Sequence, residues 1–236
     1  MRPFLSLPEE ETMTLQIGLE ASDGFVVASD RRSFSGQIFR STDMRKILVS
    51  DENPQVVCAF SGSDASRRVA QALVDRHRNL KDDSDATKHF IEESVKAARD
   101  GQGGEDLEKQ LVLAALVNPS EGAGRFWRIT FGRTPMALPL RYKIYGGEES
   151  NPAVYFPEAH YRESACVEDL ELLAAHYILQ GAKHSSSVRG LDIYVAKNGS
   201  PARFLSKSEL AQLSKRSAAI ARNLDELLYS HKEPIQ

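Results

Sequence analysis

The chain has 236 residues, of which 41% are hydrophobic and 27% charged, and its 30 Lys and Arg against 33 Asp and Glu leave a net charge of −3. That composition excludes a disordered, collagen-like or disulfide-stapled chain, and the near-balanced charge offers no large attraction to nucleic acid or to an anionic membrane. Two cysteines, Cys58 and Cys166, make no disulfide framework and fit a reducing, cytoplasmic setting, and no apolar run approaches the roughly 20 residues that span a bilayer.

The first 13 residues read as a leader without a fold of its own. Met1 to Pro8 carries one basic residue and a short apolar patch, and Glu9-Glu10-Glu11 then interrupts it. This is neither a secretory signal nor a transit peptide. Residues 14–236 are then expected to form one domain. Leu15 to Ala21 alternates with period two, the signature of a half-buried strand. Ser22-Asp23-Gly24 is a hairpin-type turn, and Phe25 to Ser29 is the partner strand. A looser segment containing Gly36 leads to a short strand, Ile47-Leu48-Val49. After the turn cluster Asp51–Pro54, Val56 to Phe60 reads as a strand buried on both faces.

Ser61-Gly62-Ser63-Asp64 marks a helix start, since short polar side chains accept from first-turn N–H groups. Ala65, Val69, Ala72 and Leu73 recur at helical spacing behind it. A second helix begins near Asp85, carries Phe90, Ile91, Val95 and Ala98 on one face, and ends at Gly101 to Gly104. Leu111 to Val117 and Phe126 to Phe131 form a hairpin, and Leu140 to Tyr145 is expected as a third strand ending at Gly146-Gly147. A helix then presents Leu170, Leu173, Ala174, Tyr177 and Ile178, and Leu191 to Ala196 is a strand. Ser206-x-x-Glu209 is a capping box opening a last helix whose apolar face is Leu210, Leu213, Ile220, Leu224 and Leu227. Hairpins dominate, so the sheets are mainly antiparallel, and each helix face needs a sheet to cover. The fold class expected is α+β, a four-layer αββα sandwich of two sheets flanked by helices.

The stretch from Thr14 to Gly62 carries the chemistry. Thr14 precedes the first strand, Asp30 follows the second, Lys46 opens the third, and Gly62-Ser63 lies between a buried strand and a helix. Alone, each residue type at such a place is ordinary. Together their spacing resembles that of the proteasome beta-subunit family of N-terminal-nucleophile hydrolases. Ser22-Asp23-Gly24-Phe25-Val26-Val27-Ala28-Ser29-Asp30-Arg31-Arg32 looks like that family's DGVVLAADRR-type signature. Thr14, Asp30 and Lys46 fall at its nucleophile, aspartate and lysine positions without an insertion, and Gly62-Ser63 is similar to its Gly-Ser pair, reached with about two extra residues in the Asp51–Gln55 turn.

The resemblance implies an N-terminal-threonine peptidase of unfolded polypeptides, working in six- or seven-membered rings with other subunits and with an ATPase unfoldase as partner. It implies no cofactor and no metal. Gly62 would supply the oxyanion N–H, and Phe60, Met44 and Leu48 would shape an apolar primary pocket. Counting back from Asp192 places His184 at the family's second aspartate position and Ser187 at its serine position. The chain departs from the pattern there, at Met13, where the family has Gly, and in Gly146 to Asn151, where the family's Gly-Ser-Gly-Ser turn would fall with glutamate in place of its first serine and Ser150 as the nearest hydroxyl. Two other readings share the fold: a ring subunit that no longer cleaves, and a solitary amidase acting on a small amide.

Overall fold

The computed structural model describes residues 14–35, 40–50, 55–62, 64–76, 85–100, 111–117, 124–132, 134–147 and 151–229. The chain opens with a hairpin of β1 (Leu15–Ala21) and β2 (Gly24–Ser29), as the period-two pattern predicts. Leu15, Ile17 and Leu19 point to one side of this sheet and are fully buried there. A short polar ribbon follows, β3 (Arg32–Ser35) with β4 (Arg40–Asp43). β5 (Ile47–Val49) and β6 (Gln55–Ser61) start a second sheet. Two helices come next, α1 (Asp64–Asp75) and α2 (Asp85–Asp100).

The second sheet is completed by β7 (Leu111–Val117), β8 (Gly124–Thr130) and β9 (Met136–Leu140), in the order β5-β6-β7-β8-β9. The chain then crosses back to the first sheet as β10 (Lys143–Gly147). A 3₁₀ turn (Pro152–Val154), α3 (Tyr155–His160) and the long α4 (Val167–His184) follow. β11 (Asp192–Lys197) and the two-residue β12 (Arg203–Phe204) close the first sheet in the order β10-β1-β2-β11-β12, and α5 (Lys207–Tyr229) ends the described chain. Every strand pair is antiparallel.

Three apolar layers hold this together. Leu15, Ile17 and Leu19 pack with Leu170, Ala174, Tyr177 and Ile178 of α4. Phe60, Trp127 and Ile129 pack with Ala65, Val69 and Leu73 of α1 and Ile91 and Val95 of α2. Phe25, Val27, Ile47, Val57, Leu113, Phe126 and Ile144 fill the space between the sheets. The molecule is therefore the four-layer αββα sandwich expected from the sequence. Each fully buried Leu, Ile or Val side chain contributes roughly 1.5–3 kcal/mol.

Three expectations need correction. Leu140 to Tyr145 is not one strand: Leu140 ends β9 in one sheet, and Lys143 begins β10 in the other. The turn between them is made at Tyr142, which sits at φ 70, with the Lys143 N–H donating to the Arg141 carbonyl at 2.8 Å. Apolar alternation cannot reveal such a crossover, because both strands point apolar residues at the same inter-sheet core. The last helix packs only through its first half. Leu213 is buried, whereas Ile220, Leu224 and Leu227 are exposed. The β3–β4 ribbon, α3 and β12 add elements that the pattern does not predict, being too short and too polar to carry a period. The glycines expected to end α2 lie outside the described residues.

Candidate active site

Hairpin geometry brings the first two site residues together. The register pairs Gln16 with Ser29, and the Asp30 N–H donates to the Leu15 carbonyl at 3.1 Å. Thr14 and Asp30 thus leave the same end of the first sheet. Lys46 comes from the second sheet, where its carbonyl accepts the Phe60 N–H at 3.1 Å. The two sheets stack so that this residue reaches across to the other pair. All three are buried, Asp30 completely.

The Lys46 ammonium has three N–H donors, and the structure supplies three acceptor oxygens. They are Asp30 Oδ1 and Oδ2, each at 3.0 Å, and Thr14 Oγ1 at 2.8 Å. The Asp30 carboxylate also accepts the Leu15 N–H at 3.1 Å and the Arg32 N–H at 2.9 Å. Burial pushes the Asp30 carboxyl up, opposed by the Lys46 ammonium and these two amides. Burial likewise lowers Lys46, opposed by the Asp30 charge. A charged Lys46 has no lone pair, so it acts on the Thr14 hydroxyl only as a donor.

Arg32, whose neighbourhood the sequence motif marks without a role, ties the site to the far end of the chain. Its backbone N–H holds Asp30 while its guanidinium donates to the Ser186 carbonyl. Ser187 is buried in that turn after α4, its N–H donating to Ser185 Oγ at 3.3 Å. His184 lies at the exposed end of α4. Around the rim, Arg31 bridges Asp43 at 2.6 Å and Asp192 at 3.0 Å, and Arg45 stands 3.5 Å from Asp192.

Gly62 follows β6 at φ 93, a conformation that disfavours any side chain, and it is exposed. Phe60, two residues earlier, shares an apolar cluster with the half-buried Met44 and Leu48. Gly147 at φ 98 abuts the Thr14 carbonyl, a role that sequence reasoning misses although the Gly146-Gly147 pair is visible in it. Ser63 and residues 148–150 lie outside the described residues, as does the leader. Among the described residues, no group of three or more His, Cys, Asp and Glu is placed to hold a metal ion. No described helix is long and apolar enough to cross a membrane.

No family model matches the chain, and no curated protein does. Its likeness is to solved structures. It superposes on Anbu, an ancestral beta-subunit, from Yersinia bercovieri with a TM-score of 0.73 at 12% identity, over 94% of this chain and 98% of that one. The helical assembly of the Anbu complex from Pseudomonas aeruginosa gives 0.72 at 18% identity, over 93% and 98%. Anbu from Hyphomicrobium sp. strain MC1 gives 0.70 at 14%, over 94% and 100%. The fold is proteasome-like. These neighbours correct the resemblance drawn from the motif: they are Anbu proteins, a family distinct from the proteasome beta subunits.

Proposed function

We propose that the chain is an N-terminal-threonine amide hydrolase that cuts peptide bonds of unfolded polypeptides. The observation that carries this reading is the Lys46 ammonium shared between Thr14 Oγ1 and the buried Asp30 carboxylate. Residues 1–13 form a leader removed at the Met13–Thr14 bond, and residues 14–236 form the working domain. Removal converts the Thr14 nitrogen from an amide into an amine, which in water has a pKa of roughly 7.7–8.0.

That amine takes the Thr14 hydroxyl proton as Oγ1 attacks the substrate carbonyl. Lys46 stabilises the negative charge developing on Oγ1, and Asp30 keeps Lys46 charged and aimed. The Gly62 N–H receives the tetrahedral oxyanion, a contact whose loss typically costs about 2.7–4 kcal/mol. The Thr14 ammonium returns the proton to the leaving amine, leaving an acyl ester on Thr14. Water, deprotonated by the same amine, releases the acid. Ser187, in the turn held by Arg32, supports the amine. Met44, Leu48 and Phe60 favour an apolar residue before the cut bond.

We read the chain as one subunit of an assembly of its own copies, as the Pseudomonas aeruginosa Anbu complex is a helical one. Unfolded substrate would come from an ATPase partner. A cytoplasmic setting fits two free cysteines. The test is intact mass of the purified chain together with hydrolysis of fluorogenic peptides by the parent and by Thr14→Ala. A chain beginning at Thr14 and a loss of about 10³-fold or more in the variant are expected. Full activity in Thr14→Ala discards the reading, and a chain that keeps its leader and cleaves nothing makes it a silent subunit.

A further inference from the structure

α4 and α5 meet through a polar contact set into an apolar seam. His176 Nδ1 of α4 and the Ser217 hydroxyl of α5 stand 2.9 Å apart, and both residues are buried. One turn earlier on α5, Leu213 is buried in the core that α4 shares with the first sheet, and Leu210 packs against the same core. The imidazole also meets the Phe156 ring of α3 nearly at right angles, with centroids 4.5 Å apart. Ser217 is the last buried residue of α5. Past it the apolar stripe continues as Ile220, Leu224 and Leu227, all exposed. The His176–Ser217 contact therefore closes the docked half of the helix.

The surroundings of the imidazole suit its neutral form. A serine hydroxyl can donate to it or accept from it, but carries no counter-charge. Among the described residues, the charged or titratable groups that act on the ring are both basic: Lys183, two turns along α4, and His160 of α3. From α5 only Ser217 reaches it, since Lys215 and Arg216 beside that serine are exposed. The half-buried Glu171 of α4 interacts instead with Glu168, Glu209, Arg203 and Lys197. Burial, and then these two basic groups, hold His176 below its ordinary 6.5. We propose that His176 and Ser217 form a pH-sensitive latch, in which protonation of the imidazole on mild acidification frees α5 from α4 while the rest of the sandwich stays folded. A freed ring in water takes up its proton near 6.5, at a higher pH than the docked ring does. Docking is therefore strongest above 6.5 and weakens as pH falls from there through the docked value. Release joins Leu210 and Leu213 to the exposed stripe of Ile220, Leu224 and Leu227.

The test is amide hydrogen exchange of the full chain across the range from neutral to mildly acidic pH, with rates corrected for the intrinsic effect of pH, beside an NMR titration of the His176 ring. His176 is expected to titrate below 6.5. Protection of the first half of α5 should fall by about threefold or more on acidification, while β1 and α1 keep theirs. His176→Asn can still hydrogen-bond Ser217 but takes up no proton, so its α5 protection should not respond to pH. Lys183→Gln, an exposed substitution that spares the packing, should raise the His176 titration point and retain more α5 protection in acid than the parent. A His176 that titrates at or above 6.5, α5 protection that ignores pH in the parent, or an acid response that persists in His176→Asn overturns the proposal. So does loss of protection in β1 and α1 at the same pH as in α5, which would be unfolding of the whole sandwich.

Discussion

Gly147 lies so close to Thr14 that a β-carbon on it would fall 1.4 Å from the Thr14 carbonyl oxygen. Its φ of 98 adds a conformation that alanine adopts only under strain. Gly147→Ala must therefore move either β10 or the start of β1. A shift of about 1 Å at a reacting group costs on the order of 100-fold in rate, and that loss in kcat is expected. Gly199 is the control. It has φ 75, but a β-carbon added there would meet nothing within 4 Å. Gly199→Ala should destabilise the fold by about 1–3 kcal/mol and leave kcat unchanged. Equal activity losses in the two variants would show that strain, not contact with Thr14, sets the effect.

Asp30→Asn keeps the side-chain shape but removes the charge facing Lys46. The ammonium is then buried without a counter-charge, and breaking such a pair costs about 3–5 kcal/mol. Denaturant midpoints of Asp30→Asn and of the double variant Asp30→Asn, Lys46→Met measure this. The double variant should recover part of the stability that the single one loses. If it is less stable than the single variant, the penalty does not come from the stranded charge.

The pH profile of hydrolysis should be bell-shaped. Activity rises as the Thr14 amine loses its proton, below its aqueous value of roughly 7.7–8.0 because the neighbouring ammonium disfavours a second positive charge. It falls as Lys46 loses its own proton, at a pH below the ordinary 10.5 because burial lowers that group. A lowered lysine contributes stability above pH 10.5 that is lost as pH falls through its folded value. The charged form at neutral pH thus carries a cost, which Asp30 offsets. In Lys46→Arg the residual activity should show no alkaline limb, since guanidinium stays charged. An unchanged alkaline limb in that variant assigns it to another group.

Glu209 closes the capping box that opens α5. It accepts the Ser206 N–H at 2.7 Å and pairs with Arg203, and these partners hold its carboxyl down at about 2. The stability it contributes is present above the unfolded value of 4.5 and is lost as pH falls through about 2. Glu209→Gln should flatten the pH dependence of unfolding between those values and cost about 0.5 kcal/mol at pH 7, as befits a half-exposed pair. Parallel stability curves for parent and variant across that window would remove Glu209 from the account.

Much of the molecule is written in local pattern. Period two from Leu15 to Ala21, closed by Ser22-Asp23-Gly24, dictates the first hairpin, and a hairpin's register alone places Thr14 beside Asp30. The Ser206–Glu209 box and the stripe through Leu170, Ala174 and Tyr177 act within one or two helical turns, so they too are readable without a fold. The remainder depends on contacts between segments far apart in the chain. Lys46 meets Thr14 only because two sheets stack on Phe25, Ile47 and Phe126. Arg32 finds Ser186 across 154 positions. Gly147 matters only because the chain crosses sheets at Tyr142 and returns beside Thr14. Local pattern encodes which face of an element is apolar, whereas the partner of that face, and every side chain reaching past it, is chosen by close packing of the whole chain.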